Sequence, residues 1–164
     1  MDYLFSPWRY RYLAERGGPE SGCVLCAQLA SGDDAAALVA YRGQQCAIML
    51  NRYPYTTGHV MVLPYAHAAT LGECSAAARA EMIELAARME AVLGREYHPQ
   101  GINIGLNLGE AAGAGLAGHL HLHVVGRWPG DSNFMTVVGE TRVLPEALED
   151  TYARLRRALN PSSA

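Results

Sequence analysis

The segment HLHLHVV at residues 119–125 is the feature that most limits how this chain can fold. Histidine alternates with leucine over it, and side chains alternate between the two faces of a β-strand. The pattern predicts a strand that turns His119, His121 and His123 to one face and the aliphatic residues to a core. At roughly 3.3 Å per residue, the outer two histidines would lie about 13 Å apart.

Three imidazoles on one face indicate a catalytic or metal-binding role more than a solvated polar face of an amphipathic strand. Serine or threonine would serve a polar face equally well, and neighbouring imidazoles disfavour each other's protonation. Imidazole is a nucleophile, a general acid or base, and a metal ligand near neutral pH. We interpret the segment as part of an active site, with a simple amphipathic strand as the alternative.

Composition narrows the classes of protein. The chain has 164 residues, is 50% hydrophobic and carries a net charge of −3, which suits one globular domain and implies no basic surface for nucleic acid. It contains no lysine, which excludes a lysine-based phosphate loop or Schiff base. The N-terminus lacks the apolar core of a signal peptide and no apolar run approaches membrane-spanning length, so we expect a cytoplasmic protein without a membrane segment.

Hydrophobic periodicity predicts an α+β fold. Predicted strands lie at residues 37–42, 46–51, 58–64, 101–107 and 119–128, with a further one at 134–140. Ser75 is a suitable N-cap for a long helix that ends at Tyr97, and a helix is predicted over 144–159 with Pro145 in its first turn. A short helix is predicted near Cys23. Pairs of strands followed by helices favour antiparallel pairing over a regular βαβ order.

Two shorter motifs add to the histidine strand. Residues 109–118, GEAAGAGLAG, form a loop of small residues, whose backbone N–H groups can approach an anion closely. Cys23 and Cys26 have the C-x-x-C spacing of half a tetrahedral zinc site. A redox pair or two inert buried thiols are the alternatives for these cysteines.

The segment GHLHLHVVGR, with GHVMVLP about sixty residues earlier, resembles the histidine triad (HIT) family of nucleotide hydrolases and transferases. The family motif alternates histidine with hydrophobic residues and ends in two more hydrophobic residues, and residues 119–125 fit it fully. The similarity runs from about Cys23 to Arg127. SPWRYRYL near the N-terminus and RWPGDSNFM after the triad resemble the bacterial branch that includes diadenosine tetraphosphate hydrolases and phosphorylases.

The resemblance implies one HIT-like domain over residues 1–164. Its core would span about 23–127, with an N-terminal arm at 1–22 and a C-terminal strand and helix at 128–164. The implied fold is an antiparallel sheet of about five strands with one long central helix and a C-terminal helix. A homodimer would extend the sheet from one protomer to its partner.

The resemblance also implies catalytic roles. His121 matches the nucleophile that attacks an α-phosphorus and forms a nucleotidyl-histidine intermediate. His119 and His123 match the flanking histidines that support it and bind the phosphate, and His59 matches a further histidine of the active site.

Other positions match nucleotide contacts. Asn51 matches a position that faces ribose or phosphate, and Asn107 matches a polar residue near the leaving group. The loop adds Gly113 and Gly115 as expected phosphate-binding positions, next to His123.

The resemblance completes the metal site as well. Cys23, Cys26, His67 and His119 match the ligands of a structural zinc ion in several bacterial relatives. Mg²⁺ is expected only in company with the substrate phosphates.

The implied function is a hydrolase or nucleotidyl transferase that cleaves a dinucleoside polyphosphate or nucleotide conjugate at the α-phosphate. The alternatives are a phosphorylase that uses orthophosphate, and a weakly active nucleotide-binding or scaffold protein. The family usually carries Ser or Gln before the first histidine, whereas this chain has Ala114-Gly115-Leu116 in a loop one residue longer. Loss of one such hydrogen-bond donor can lower the rate by about 10²–10³, which favours the weakly active nucleotide-binding or scaffold protein.

Overall fold

The computed structural model describes residues 22–131 and 145–160. The elements of these ranges are α1 (Val24–Ala30), α2 (Asp34–Ala37), β1 (Val39–Arg42), β2 (Cys46–Leu50), β3 (Val60–Pro64), α3 (Ala76–Tyr97), β4 (Gly101–Leu106), a 3₁₀ turn (Glu110–Ala112), β5 (Leu122–Arg127) and α4 (Leu148–Leu159). The N-terminal arm up to residue 21 and the strand predicted at 134–140 lie outside the described residues. No helix in the described ranges has the length and apolar character needed to cross a membrane.

The five strands form one open antiparallel sheet in the order β1-β2-β3-β5-β4. This confirms the predicted α+β class and the sheet of about five strands. The histidine-bearing strand β5 lies between β3 and β4, where His123 is paired with Met61 on one side and Gly105 on the other. The site is therefore built on an internal strand, while β4 is an edge.

The two faces of the sheet carry different cores because strand residues alternate. Helices α3 and α4 cover one face and pack on Ile48, Val62, Leu122 and Val124. Helix α1 covers part of the other face with Leu25 and Leu29, against Met49, Met61 and Leu63. His123, the triad histidine within β5, belongs to this second face, as the alternation predicted.

Helix α3 forms as the sequence predicted. The Ser75 hydroxyl accepts a hydrogen bond from the N–H of Ala78 at 3.0 Å, which confirms the N-cap. The apolar stripe at helical spacing is buried and consists of Met82, Ala86, Met89 and Leu93.

Two predicted boundaries are wrong. The triad strand begins at Leu122 instead of His119, because the N–H of Leu120 donates to the Ala68 carbonyl at 2.6 Å, outside the ladder with β3. The C-terminal helix begins at Leu148 instead of residue 144. Its N-cap is Ala147, which offers no side-chain cap, and the carboxylate of Glu146 just before it accepts hydrogen bonds from the side chains of Thr151 and Arg154. The short helix α2 was not predicted.

Candidate active site and metal centre

The tautomer of His121 is defined by a backbone contact. Its Nδ1 lies 2.7 Å from the carbonyl oxygen of His119, which can only accept, so Nδ1–H is the donor. The imidazole lone pair is therefore on Nε2. The ring is buried, with 7% of its surface exposed, on the second face of the sheet. A buried imidazole with a fixed tautomer is suited to nucleophilic attack.

His123 is oriented by a chain of directed hydrogen bonds. The Tyr55 N–H donates to Nδ1 of His59 at 3.1 Å, so a neutral His59 carries its proton on Nε2. That Nε2 lies 2.9 Å from Nδ1 of His123 and donates to it. The proton of neutral His123 is thus on its own Nε2. Burial, with the nearby His121 second, lowers the pKa of His123 to about 4, so the ring is neutral at pH 7.

The loop before β3 places His59 through local geometry. Gly58 has a φ of +77°, and a Cβ there would lie 2.9 Å from a methyl group of Leu93, so the chain requires glycine at this position. The Thr56 hydroxyl donates to the Gly126 carbonyl at 2.9 Å and fastens the loop to β5. This connection keeps His59 in register with the triad strand.

Asn51 lies at the end of β2, next to this loop. Its Oδ1 accepts a hydrogen bond from the N–H of Tyr53 at 3.0 Å, and its Nδ2 is 3.5 Å from Nε2 of His59. Asn51 is half-buried, and its amide is fixed by the Tyr53 contact; Nε2 of His59 carries the proton that goes to His123, so its approach to Nδ2 is a contact and not a hydrogen bond. The structure thus brings Asn51 and His59 together.

The rings of His121 and His123 meet edge to face, with centroids 4.9 Å apart. A cavity of about 390 Å³ opens beside His123. Its lining residues are Tyr55, Thr56, Asn103, Ile104, Gly105, Leu106, Asn107, His123, Val125, Arg127 and Asp131. Asn107 and His123 therefore share one cavity, whereas Asn51 does not line it.

The glycine-rich loop divides into two parts. The N–H of Gly113 donates to the Glu110 carbonyl at 2.8 Å, and the N–H of Ala114 donates to the Gly109 carbonyl at 3.2 Å. Both groups stabilise the loop itself. Across residues 22–131 and 145–160, no backbone carbonyl accepts from the N–H of Gly115, Leu116 or Ala117. These later residues are therefore better placed than Gly113 to donate to an anion.

His119 faces away from the other two triad rings, toward the cysteines. Its Nδ1 lies 3.3 Å from Sγ of Cys23 and 3.4 Å from Sγ of Cys26. Sγ of Cys26 lies 3.4 Å from Nδ1 of His67. The three predicted imidazoles therefore do not form a regular row, because His119 ends a loop instead of belonging to the strand.

The four predicted metal ligands form one cluster. The ligand atoms of Cys23, Cys26, His67 and His119 all lie within 4.8 Å of one another. Ligands about 2.0–2.3 Å from a tetrahedral zinc ion lie roughly 3.3–3.8 Å from one another, and the three nitrogen–sulfur distances of 3.3–3.4 Å match this. Nε2 of His119 donates to the Pro64 carbonyl at 2.9 Å, which directs the lone pair of Nδ1 at the cluster. The residues present therefore fit zinc.

Two pKa shifts in the cluster bear on metal binding, and the one on His119 favours it. Burial raises the pKa of the Cys26 thiol, and the neighbouring Cys23 raises it further. Burial lowers the pKa of His119 in spite of its bond to Pro64, and His67 and His121 add to this effect. A neutral imidazole is the form that binds a metal.

Sequence reasoning missed three contributors to the site. The N–H of Tyr55 and the carbonyl of Pro64 act through the backbone, so no residue type could have revealed them. Arg127 could have been found, because it lies four residues after His123 and an even spacing places both on the same face of a strand.

The antiparallel sheet, the ordered histidines and the cysteine–histidine cluster together define a histidine triad protein. A HIT domain family model matches residues 33–130. The chain is 39% identical over 157 residues to AP-4-A phosphorylase of Mycobacterium tuberculosis, covering 92% of this chain and 80% of that protein. The chain belongs to the HIT family, and it is a HIT-type enzyme of nucleotide chemistry.

Solved structures agree with this assignment. A zinc-bound histidine triad family protein from Mycobacterium smegmatis superposes with a TM-score of 0.69 at 30% identity, covering 86% of this chain and 95% of that one. A hypothetical histidine triad nucleotide-binding protein from Sulfolobus tokodaii has a TM-score of 0.68 at 22% identity, covering 85% and 93%. The second of these shows the shared fold alone.

Proposed function

We propose that this enzyme cleaves dinucleoside polyphosphates at an α-phosphate through a nucleotidyl-histidine on His121. The observation that carries the proposal is the bond from Nδ1 of His121 to the His119 carbonyl, which presents Nε2 as the nucleophilic atom. The relative named AP-4-A phosphorylase supports the choice of substrate class.

The first step is a displacement at phosphorus. Nε2 of His121 attacks the α-phosphorus, the bond to the bridging oxygen breaks, and the leaving phosphates depart with the electron pair. His123 donates its Nε2–H to a phosphoryl oxygen as charge develops there. The N–H groups of Gly115 and its neighbours stabilise the equatorial oxygens, while Asn51 contacts ribose and Asn107 the leaving group.

The second step releases the nucleotide. Orthophosphate, or water that loses a proton to solvent, attacks the phosphorus on the side opposite His121, and the P–N bond breaks with its electron pair returning to Nε2. Two displacements through histidine replace one harder reaction. Mg²⁺ enters this proposal only as a counter-ion of the substrate phosphates.

A weakly active binding protein is the second candidate. It is favoured by the side chains at Ala114, Gly115 and Leu116, none of which can donate a hydrogen bond. We favour the enzyme because backbone N–H groups of the same loop can replace a missing side-chain donor. Turnover would then be slower without a change of nucleophile.

We also propose that Cys23, Cys26, His67 and His119 hold a structural zinc ion. The geometry of the cluster and the zinc-bound relative from Mycobacterium smegmatis support this. The ion would supply a cross-link between α1, the segment after β3 and the start of the triad strand. It would take no part in the chemical steps.

A homodimer that continues the sheet through β4 is proposed as well. Strand β4 is an edge of the sheet, and Ile104 on it is 45% exposed. An exposed apolar edge strand favours pairing with a second strand.

One product assay tests the proposed reaction. Diadenosine tetraphosphate is incubated with the enzyme in the presence and absence of orthophosphate, and nucleotides are separated by anion exchange. AMP with ATP means hydrolysis, and ADP with ATP means phosphorolysis. Binding without either product would favour the second candidate.

A further inference from the structure

The cavity beside His123 ends at a charged cluster that the proposed chemistry leaves without a role. Nε and Nη2 of Arg127 donate to the two carboxylate oxygens of Asp131, at 2.5 and 2.9 Å. Nη1 of Arg127 donates to Oδ1 of Asn103 at 2.8 Å. All three residues line the cavity together with His123. A guanidinium held on two sides is a preorganised group, and its fork of N–H donors matches the oxygens of carboxylate and phosphate groups.

The strands connect this cluster to the catalytic end of the cavity. His123 and Arg127 lie on the same face of β5, with their Cα atoms roughly 13 Å apart. On β4, Gly105 is paired with His123 and Asn103 with Val125. A Cβ at Gly105 would meet nothing within 4 Å, so the sheet surface is open there. A shallow trough therefore leads from the third triad histidine toward the guanidinium.

The cluster offers hydrogen-bond donors to this trough. A guanidinium has five N–H groups, and the three named contacts within the described residues leave two for a ligand. Because Arg127 can only donate, Oδ1 of Asn103 is the acceptor and its amide N–H₂ is a further donor. The Asp131 carboxylate is matched by Arg127 and fixes the guanidinium, so the pair adds no net negative charge.

We propose that Arg127 and Asn103 form a phosphate subsite on the leaving-group side of the scissile bond, with Arg127 as a specificity-determining residue. This rests on the proposed function, since it takes His121 as the nucleophile. Leaving phosphates depart opposite the nucleophile, and an orthophosphate acceptor must enter from that same side. One subsite can therefore bind phosphate groups from either source.

A binding experiment tests the subsite without turnover. Inorganic tripolyphosphate is titrated into the full-length protein by calorimetry at fixed ionic strength, and Arg127→Met is compared with wild type. Loss of a charge-assisted partner predicts binding weaker by about tenfold or more. Arg95→Met, which removes an exposed ion-paired arginine on α3, should bind within about twofold of wild type.

A second variant tests the subsite independently, in case Arg127→Met disturbs the local fold. Asn103→Asp keeps an oxygen for Arg127 but replaces the amide donor with a negative group, so it should also weaken tripolyphosphate binding about tenfold. Thermal unfolding checks that each variant is folded. Equal binding by wild type, Arg127→Met and Asn103→Asp would overturn the subsite.

Kinetics then distinguish the two phosphate sources. The substrates are diadenosine tetraphosphate and an aryl ester of AMP, whose leaving group carries no phosphate. A loss of about tenfold or more in kcat/KM for the tetraphosphate alone assigns the subsite to leaving phosphates. A raised KM for orthophosphate with the ester assigns it to the acceptor. An equal loss with both substrates and no change in KM for orthophosphate would overturn the proposal.

The same data distinguish a failure of the subsite from a failure of the proposed function. If the wild-type enzyme cleaves the ester but not the tetraphosphate, the proposed substrate class is wrong. The tripolyphosphate titration decides the subsite in that case as well, because it does not depend on cleavage.

Discussion

At the scale of single residues, the site depends on which nitrogen of each imidazole carries the proton. Three backbone groups decide this: the carbonyls of Pro64 and His119 and the N–H of Tyr55. They direct Nδ1 of His119 to the cysteines and place the lone pair of His121 on Nε2. Neighbouring residues of one short segment therefore acquire different chemistry from their main-chain partners.

The first prediction concerns the nucleophile. His121→Ala should lower kcat by about 10⁴-fold or more, because no covalent intermediate can form. The fold should be kept, as judged by circular dichroism, because only one side chain of the second face is shortened. A His121→Ala enzyme with wild-type turnover, next to an inactive His123→Ala enzyme, would show that the assignment is wrong.

The second prediction is a pH dependence of stability. The pKa of His123 is about 4 in the folded protein, against an ordinary value of 6.5, so the unfolded chain binds more protons between these values. The stability that depends on neutral His123 should therefore be fully present above about pH 6.5 and be lost as the pH falls toward about 4. The expected loss is on the order of 2–3 kcal/mol.

Urea unfolding at several pH values measures this effect. His123→Gln serves as the comparison, because it keeps the acid sensitivity of every other group. Its free energy of unfolding should fall less steeply between pH 6.5 and 4.5 than that of wild type. Identical slopes would mean that His123 is not held neutral by burial.

At the scale of elements, α1 depends on the cysteine–histidine cluster. Its seven residues bury only Leu25 and Leu29, and its N-cap is Cys23 itself. So short a helix has little stability of its own. A metal at this position would fasten the helix to the body of the domain.

The third prediction follows for the metal. His119→Ala should lower both zinc content and activity, whereas His123→Ala should lower activity alone. Zinc is measured by plasma emission on protein purified without a chelator or a histidine tag. Less than about 0.2 zinc per chain with full activity would leave the cysteines as plain thiols.

The turn between β1 and β2 supports the fourth prediction. The carboxylate of Glu81 on α3 accepts hydrogen bonds from the backbone N–H groups of Gln44, Gln45 and Cys46. Glu81→Ala should destabilise the fold by about 2–3 kcal/mol, because these donors lose a charged acceptor. Glu84→Ala, on the same helix and exposed, should change stability by less than about 0.5 kcal/mol in urea unfolding.

At the scale of the whole molecule, the fifth prediction concerns dimerisation through the exposed edge strand β4. Light scattering at micromolar concentration should give the mass of a dimer. Ile104→Lys should shift the chain toward monomer, because lysine on an edge strand opposes pairing. Leu71→Lys, at an exposed leucine outside the sheet, should leave the mass unchanged. A wild-type monomer under these conditions would contradict the proposed dimer.

The fold could be predicted where periodicity and residue type coincide. Alternation at 119–125 placed the leucines in the core, and the stripe from Met82 to Leu93 placed α3 on the sheet. The C-x-x-C spacing and two histidines predicted the members of one cluster. These features are local in the sequence or belong to a motif.

The remainder depends on contacts between distant residues. The start of β5 follows from a bond between Leu120 and Ala68, and the segment before α4 is joined to the end of α3 by the bond from the Tyr97 hydroxyl to Glu146. The anchoring of a turn by Glu81 joins residues more than thirty positions apart. No periodicity reports such contacts, because each depends on the packed arrangement of two elements.

The central claim is that His121 becomes covalently nucleotidylated. In the most direct measurement, the enzyme reacts with diadenosine tetraphosphate that is labelled at the α-phosphate. The reaction is stopped rapidly without acid, and the labelled residue is then located by peptide mapping. Phosphohistidine linkages survive neutral or basic denaturation, so label should be found on the peptide that contains His121 and be absent from His121→Ala. Full product formation with no labelled enzyme at any quench time, or label on His123 instead, would contradict the account.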